Sequence, residues 1–163
     1  MSSSWVGLGT VWAHGNVSQR KCLDAVREAL GGAPYQEEWK SWSFTNPLTG
    51  HRFRFDGYYA SIGLVVEFQG IFHYRFPNPW MKDESYRSEW EKLVERDRIK
   101  KQMIQTTPGL TYLEILEDEP FMDIQYLRGR LMGLGVLEAR SGGLWLGDKL
   151  IQESIPEDEH ALH

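Results

Sequence analysis

The stretch FDGYYASIGLVVEFQGIFH, residues 55–73, sets the fold because two short strand-like runs in it each end at a carboxylate. Phe53 and Phe55 alternate with arginine, and residues 64–66 form a continuous apolar run. Both compositions favour β-strands. Two glycines bracket the short connection YYASI, which is typical of a hairpin. Antiparallel pairing would then bring Asp56 and Glu67, which are 11 residues apart, side by side at one end of a sheet.

Two carboxylates held this close must share a proton or a cation. Near neutral pH the cation that prefers oxygen ligands is usually Mg²⁺, so Asp56 and Glu67 are candidate metal ligands, with the backbone carbonyl of Phe68 as a third. Gln69 follows Glu67 by two residues on an extended chain and so points the same way, whereas Phe68 points into packing. The alternative is a buried strand with a solvated acidic end, followed by a surface histidine, His73.

A second group of candidates comes from residues 88–105, which the pattern predicts as a helix. Spacings of three and four residues place five side chains on one face: Trp90, Leu93, Asp97, Lys101 and Ile104. An aspartate and a lysine inside an apolar face are costly unless they are paired or take part in chemistry. Asp97 and Lys101 are therefore candidate catalytic residues, and the alternative is an ion pair between them one helical turn apart.

Three basic residues flank this face and are candidates for binding nucleic acid: Arg96, Arg98 and Lys100. The alternative is a solvated helix face, which is the usual place of such runs. The net charge of −5 weighs against a nucleic-acid binder, because binding phosphates needs Lys and Arg. Part of that acidity lies in the tail, where residues 150–163 hold several carboxylates and no Lys or Arg. The overall charge therefore decides nothing by itself.

Length and composition predict one soluble domain. A chain of 163 residues with 41% hydrophobic residues can bury a substantial core. No apolar stretch approaches the roughly 20 residues that span a bilayer, so we expect no membrane partner. The first residues lack the basic start and apolar core of a signal peptide, and the one cysteine, Cys22, cannot form an intramolecular disulfide. These features predict an intracellular, cytoplasmic protein.

Along the chain we expect an N-terminal arm at 1–17, a core domain at 18–134, and a C-terminal hairpin with an acidic tail at 135–163. The pattern of the core predicts a helix capped by Ser18 and ended by Gly31-Gly32, a strand at 35–44, a loop at 76–85, a strand at 111–116 and a helix at 121–134. Strict alternation in the strand at 35–44 would put Trp39 and Phe44 on opposite faces.

The C-terminal hairpin is predicted across 136–146, around Arg140-Ser141-Gly142-Gly143. Its apolar run 144–146 is unusual for a free hairpin tip, so we expect it to pack on the body of the protein or on a second copy in a homodimer. Together these elements predict a single compact α/β domain with a mixed central sheet flanked by helices.

Four ordered motifs link this pattern to a known family: "FD", "E-x-Q-G-x-x-H-Y", "RD-x-x-K" and a terminal apolar strand. Across residues 18–116 the chain resembles the PD-(D/E)XK nuclease superfamily, in the branch of the very-short-patch repair endonucleases and related phage homing endonucleases. The resemblance implies a restriction-endonuclease-like sheet, Mg²⁺ as cofactor with Mn²⁺ as a substitute, and hydrolysis of DNA phosphodiester bonds. It also implies double-stranded rather than single-stranded DNA, a repair, nicking or homing role, and an origin in a phage.

The resemblance also implies roles for particular residues. Asp56 matches the aspartate that anchors the metal, and Glu67 matches the second acidic ligand. Gln69 stands where the superfamily usually has lysine, a departure that removes a positive charge near the attacking water. His73 matches the histidine that acts as a base or orients water, and Asp97 matches the helix aspartate that accompanies it. The family often has a further glutamate on the first helix, where this chain has Gln19.

Three classes of function are consistent with these observations. The first is a metal-dependent DNA endonuclease. The second is a nucleic-acid-binding protein that keeps the nuclease fold with little or no catalysis, which Gln69 and Gln19 favour. The third is a structural or interaction domain in which the acidic cluster is incidental. Cleavage of plasmid DNA with Mg²⁺ or Mn²⁺ separates the first two, and DNA binding separates both from the third.

Overall fold

A computed structural model of the protein describes residues 17–154. The arm predicted at 1–17 lies outside these residues except for Val17, and so does the acidic tail from residue 155 onward. Within the described residues, helix α1 covers 17–29, so Ser18 lies inside the helix, and the prediction that Ser18 caps it is wrong. The helix ends as predicted at two glycines with left-handed backbone, Gly31 and Gly32.

Four strands form the main sheet, in the order β1-β2-β3-β4. They are β1 (Gln36–Thr45), β2 (Arg52–Tyr59), β3 (Leu64–Gln69) and β4 (Thr111–Leu116). The first three pair antiparallel, and β4 pairs parallel to β3. The predicted mixed sheet and the predicted hairpin between β2 and β3 are therefore confirmed. The prediction that Asp56 ends the first strand is wrong, because β2 continues through Gly57 to Tyr59, which pair with β3, and the connection is only residues 60–63.

Helices cover both faces of this sheet. After β3 come a single turn, α2 (Ile71–Tyr74), the loop, a 3-10 turn at Glu84–Tyr86, and the long helix α3 (Arg87–Gln105). Helix α4 (Ile124–Gly133) starts three residues later than predicted because Asp123 caps it, its carboxylate accepting from the N–H groups of Gln125 and Tyr126. The described residues form one α/β domain, in agreement with the sequence.

The sheet separates two hydrophobic clusters. The larger cluster joins α1 and α4 to one face and includes Leu23, Val26, Val66, Phe68, Leu113 and Leu127. The second lies under α3 on the other face and consists of Phe44, Phe53, Phe55, Val65, Ile104 and Tyr112. Burial on both faces explains why β3 is buried at every position, which alternation alone would not predict.

Strand β1 departs from strict alternation. Its pairing with β2 shifts register between Lys40 and Thr45, and Glu38 has a left-handed φ of 53°. Because the irregular strand turns its side chains, Trp39 and Phe44 pack in the same cluster with ring centroids 5.8 Å apart. The prediction that they lie on opposite faces is wrong.

The C-terminal hairpin is present and carries a third strand. It comprises β5 (Glu138–Arg140), β6 (Gly143–Leu146) and β7 (Lys149–Glu153), all antiparallel. Leu144 is buried in the larger cluster, and Leu146 and Ile151 pack against it. The hairpin thus packs on the body of the same chain, which is one of the two expected arrangements, and the homodimer stays a prediction.

Two glycines allow the start of β3 to touch the loop before β4. Gly63 has φ +63°, and a Cβ on it would collide with the carbonyl oxygen of Gly109. The Gly63 carbonyl accepts from the Thr111 N–H at 2.8 Å. The contact fixes where β4 begins against β3, and the pairs Leu64↔Thr111 to Gln69↔Leu116 follow in unbroken register.

No helix among residues 17–154 has the length and apolar character needed to cross a membrane.

Candidate active site

Strands β2 and β3 separate next to Asp56, and two carboxylates fill the gap. Regular pairing between them extends from Tyr59↔Leu64 to Gly57↔Val66. Beyond that pair, the Asp56 N–H donates to Glu67 Oε1 at 3.2 Å, and the Phe68 N–H donates to Asp56 Oδ2 at 2.8 Å. Each carboxylate therefore replaces a backbone partner that the opposite strand would otherwise supply. We call this arrangement of Asp56, Glu67 and Phe68 the fork.

The two carboxylates of the fork come from opposite faces of the sheet. Asp56 lies two residues after Arg54, on the side of β2 opposite Phe55, and its charge reaches Cys22 of α1. Glu67 lies two residues after Val65, on the α3 side. The splayed strands are what allow the two groups to meet.

Burial raises the pKa of both carboxyl groups. For Glu67, desolvation is the largest cause, the charge of Asp56 adds to it, Lys100 opposes it, and the pKa rises to about 8. For Asp56, desolvation raises the pKa against the lowering effects of the Phe68 N–H and then of Lys100. Burial therefore makes the ionised form of both carboxyl groups costly, and a bound cation would stabilise that form.

Lys100 from α3 reaches into the fork. Its Nζ donates to Glu67 Oε1 at 3.2 Å and to the Arg54 carbonyl at 2.6 Å, and lies 5.0 Å from the centroid of the Phe55 ring. The side chain is 10% exposed. The sequence placed Lys100 on the flank of the helix as a phosphate contact, but the structure buries it against Glu67.

Lys101 lies elsewhere. Its Nζ is 6.0 Å from the centroid of the Tyr112 ring, and it lines a cleft of about 430 Å³ beside β4 together with Glu114, Glu119 and Arg130. Arg130 pairs with Glu119 and donates to the Glu114 carbonyl at 2.7 Å, so side chains cover part of this outer strand. The structure therefore brings Lys100, rather than Lys101, to the carboxylates.

The other two basic candidates remain on the outside of α3. Arg98 donates two hydrogen bonds to the Glu95 carboxylate, at 2.9 and 2.7 Å. Arg96 has an Nη2 atom 3.9 Å from Asp97 Oδ1, and both arginines are about half exposed. Neither contacts the fork, and both stay candidates for binding phosphates.

His73 and Asp97 form a close pair beside the fork. His73 Nδ1 lies 2.7 Å from Asp97 Oδ2, and the side chains are 19% and 14% exposed. The Trp90 indole donates to the Phe72 carbonyl at 3.1 Å and so ties α2 to α3. Asp97 therefore pairs with His73, and the alternative of an Asp97–Lys101 ion pair is not what the structure contains.

Gln69 completes the group on the α3 side of β3. It is buried, as is Tyr112 of the neighbouring strand β4. Burial is the largest cause that raises the Tyr112 pKa, followed by the charge of Glu67, while the Gln69 side chain opposes them. Sequence analysis missed Tyr112; its signal was an aromatic residue with a polar tip in an otherwise apolar strand.

The oxygen atoms that the site offers as ligands suit a hard cation. Asp56 and Glu67 supply carboxylate oxygens, whereas no set of three or more His, Cys, Asp or Glu side chains within residues 17–154 converges as a metal site. Gln19 of α1 is partly buried. Any metal held here would therefore depend on two side chains, a backbone carbonyl and water.

Comparison of the chain with protein-family models, with curated proteins and with solved structures finds no match. The chemistry of the site is therefore inferred from its own residues and their contacts.

Proposed function

We propose that the protein is a Mg²⁺-dependent endonuclease of the cytoplasm that hydrolyses DNA phosphodiester bonds on a restriction-endonuclease-like sheet. The observation that carries the proposal is the fork, where the buried Glu67 and the partly buried Asp56, both of raised pKa, lie where the pairing of β2 with β3 ends, beside the His73–Asp97 pair. A hard cation site next to an oriented imidazole can hydrolyse a phosphodiester, because the cation stabilises the phosphate charge and the imidazole accepts a proton from water.

Asp56 and Glu67 would hold the Mg²⁺ ion, with the Phe68 carbonyl as a third ligand and Mn²⁺ as a substitute. The bound ion would supply Lewis-acid stabilisation of the phosphate and a more acidic water. The two carboxylates can carry two negative charges against the single charge of Lys100, so a divalent cation would relieve their repulsion.

His73 would act as the general base. With Nδ1 hydrogen-bonded to Asp97 Oδ2, the aspartate fixes the tautomer and leaves Nε2 to accept a proton from water. Gln69 cannot supply charge, so its amide would orient the water or a phosphate oxygen by hydrogen bonding. Lys100 would supply the positive charge that Gln69 lacks.

One observation favours a second function, a nuclease-fold protein that binds nucleic acid without cutting it. Lys100 already contacts Glu67, and an internal cation in that place can substitute for a metal rather than assist one. In that protein the ion pair would be a permanent structural element of the fold.

Cleavage of supercoiled plasmid separates the two functions. Wild-type protein is incubated with Mg²⁺, Mn²⁺ or EDTA, beside Asp56→Asn and the surface control Glu95→Gln. Endonuclease function predicts nicked or linear product with either metal, none with EDTA or Asp56→Asn, and a normal yield with Glu95→Gln. Plasmid that stays intact under every condition while the wild-type protein still retards DNA in a gel would establish the binding function instead.

A further inference from the structure

Strands β1 and β2 continue past the fork as a two-stranded ribbon that β3 does not accompany. Regular β2–β3 pairing ends at Gly57, whereas the pairing of β2 with β1 continues to Arg52. Residues 39–55, which form most of this ribbon, contain no Asp or Glu, although the chain carries a net charge of −5. The ribbon is thus a locally basic part of an acidic protein.

One face of the ribbon is exposed and carries both cations and an aromatic ring. Phe53 and Phe55 point into the cluster under α3, so Arg52 and Arg54 point to the other face. There the Arg52 guanidinium lies 4.3 Å from the centroid of the Trp42 ring, and Trp42 is 74% exposed. We call Lys40, Trp42, Arg52 and Arg54 the ribbon face.

The ribbon face leads directly to the fork. Every second side chain of β2 points to the same side of the strand, and successive positions on one side are about 6.6 Å apart. The side that carries the ribbon face holds Arg52, Arg54 and Asp56. The Arg54 carbonyl accepts from Lys100, whose Nζ also donates to Glu67 of the fork. A ligand along this face would therefore end at the fork.

We propose that the ribbon face binds an unpaired segment of a nucleic-acid strand next to the phosphate that the fork would cut. Its three cations contact backbone phosphates, and the open face of Trp42 stacks on a base. An exposed ring can stack in this way on a base that has left its duplex, because neighbouring bases cover the faces of paired ones. The proposal deepens the proposed function by naming a substrate with unpaired nucleotides.

Charge complementarity favours this occupant over a second copy of the chain. The ribbon face carries three basic side chains against one acidic neighbour, Glu38, which lies 3.6 Å from Arg54. Two such faces brought together would repel one another. A phosphate chain is attracted to the same charges and releases its counterions on binding.

The experiment measures binding in EDTA by fluorescence anisotropy, so its result does not depend on cleavage. The probes are one labelled oligonucleotide as a single strand, as a blunt duplex, and as a duplex with a single-stranded overhang. The proteins are wild type, Trp42→Ala, Trp42→Phe and Arg52→Gln. Met122→Ala and Lys92→Gln are matched controls, because both residues are exposed and lie away from the ribbon.

We expect Trp42→Ala to weaken binding of the single strand and of the overhang by about 5- to 100-fold, and Trp42→Phe to restore most of it. Arg52→Gln should reduce the slope of log affinity against log salt by about 0.7, the value for one phosphate contact on a single strand. Both controls should bind like wild type, and blunt duplex should bind more weakly than the overhang.

Three results would overturn the proposal. The first is single-strand affinity unchanged by Trp42→Ala and Arg52→Gln. The second is an equal loss for blunt duplex and single strand, which would mean that no unpaired base is read. The third is loss of a sedimenting dimer in Trp42→Ala with nucleic-acid binding intact, which would assign the face to a second copy. If the ribbon face does not bind nucleic acid but the proposed function is correct, the protein still cleaves plasmid in a metal-dependent manner.

Discussion

Lys100 Nζ lies 3.2 Å from Glu67 Oε1, and both side chains are nearly excluded from solvent. The pair joins the middle of α3 to the end of β3, and the same nitrogen holds the Arg54 carbonyl on β2. One cation therefore closes the gap between two strands and a helix, in a place where an unpaired charge would be costly.

Removing this cation should destabilise the fold. Lys100→Met leaves the Glu67 carboxylate and the Arg54 carbonyl without their partner, and we expect a loss of about 3 kcal/mol in the free energy of unfolding at pH 8. The loss should shrink at pH 5, where Glu67 is protonated. Urea unfolding of Lys100→Met and of the control Lys101→Met, which should lose less than about 1 kcal/mol, tests this. Equal losses would contradict the placement of Lys100.

The raised pKa of Glu67 makes stability depend on pH. A carboxyl group whose pKa rises from 4.5 to about 8 on folding binds a proton more tightly in the folded state. Its contribution is therefore fully present below about pH 4.5 and is lost as the pH rises through about 8. The urea midpoint of wild type should fall across this range more than that of Glu67→Gln. Parallel profiles for the two proteins would show that Glu67 does not titrate there.

Metal binding should release protons from the fork. Both carboxyl groups must ionise before they bind Mn²⁺, so affinity should be higher at pH 8 than at pH 6. The calorimetric enthalpy should also change with the ionisation enthalpy of the buffer. Asp56→Ala should abolish binding, and Glu95→Gln should leave it unchanged. Binding of Mn²⁺ that survives Asp56→Ala would place the metal outside the fork.

The His73–Asp97 pair should matter for rate more than for stability. A positioned general base contributes about 10²- to 10⁴-fold, so we expect His73→Ala to lower turnover by that factor with little change in DNA affinity. Asp97→Asn should lower turnover as well, because the amide disturbs the tautomer of the ring. Cleavage rates, DNA binding and thermal melts are compared for each variant. A melting temperature lower by several degrees with near-normal activity per folded molecule would assign His73 a packing role.

A lysine introduced at position 69 should be able to replace the positive charge that Lys100 supplies to the site. Lys100→Met should reduce cleavage, and adding Gln69→Lys to it should restore part of the activity, because β3 then supplies the cation. Gln69→Lys alone should preserve cleavage or raise it. Plasmid cleavage is measured at equal amounts of folded protein, judged by circular dichroism. If Gln69→Lys alone abolishes cleavage in a folded protein, the amide of Gln69 has a role of its own.

The fork was predictable because its determinants are local. The short connection that ends at Gly63 keeps β2 and β3 paired as a hairpin, and a period of two places Glu67 and Gln69 on one side. Helical spacing singled out Asp97 and the family resemblance singled out His73, and the structure places their side chains 2.7 Å apart.

The errors came from packing that no local pattern encodes. Lys100 and Lys101 lie four and three residues before Ile104, and both spacings are compatible with one helical face. The rotation of α3 over the sheet chooses between them, and that rotation depends on contacts with Phe55 and Arg54 far away in sequence. The irregular register of β1 was equally hidden, because its left-handed residue is Glu38 rather than a glycine.

The contact between Gly63 and the Gly109 carbonyl also sets which connections can change in length. Residue Thr111 starts β4 opposite Leu64, and the pairing runs unbroken from there to the residues beside the fork. An insertion of one residue that shifted this register would therefore move Tyr112 away from Val65 and turn alternate side chains of β4 to the wrong face. The turn 46–50 between β1 and β2 is largely exposed. We therefore expect this turn to tolerate insertions and deletions better than the connection before β4.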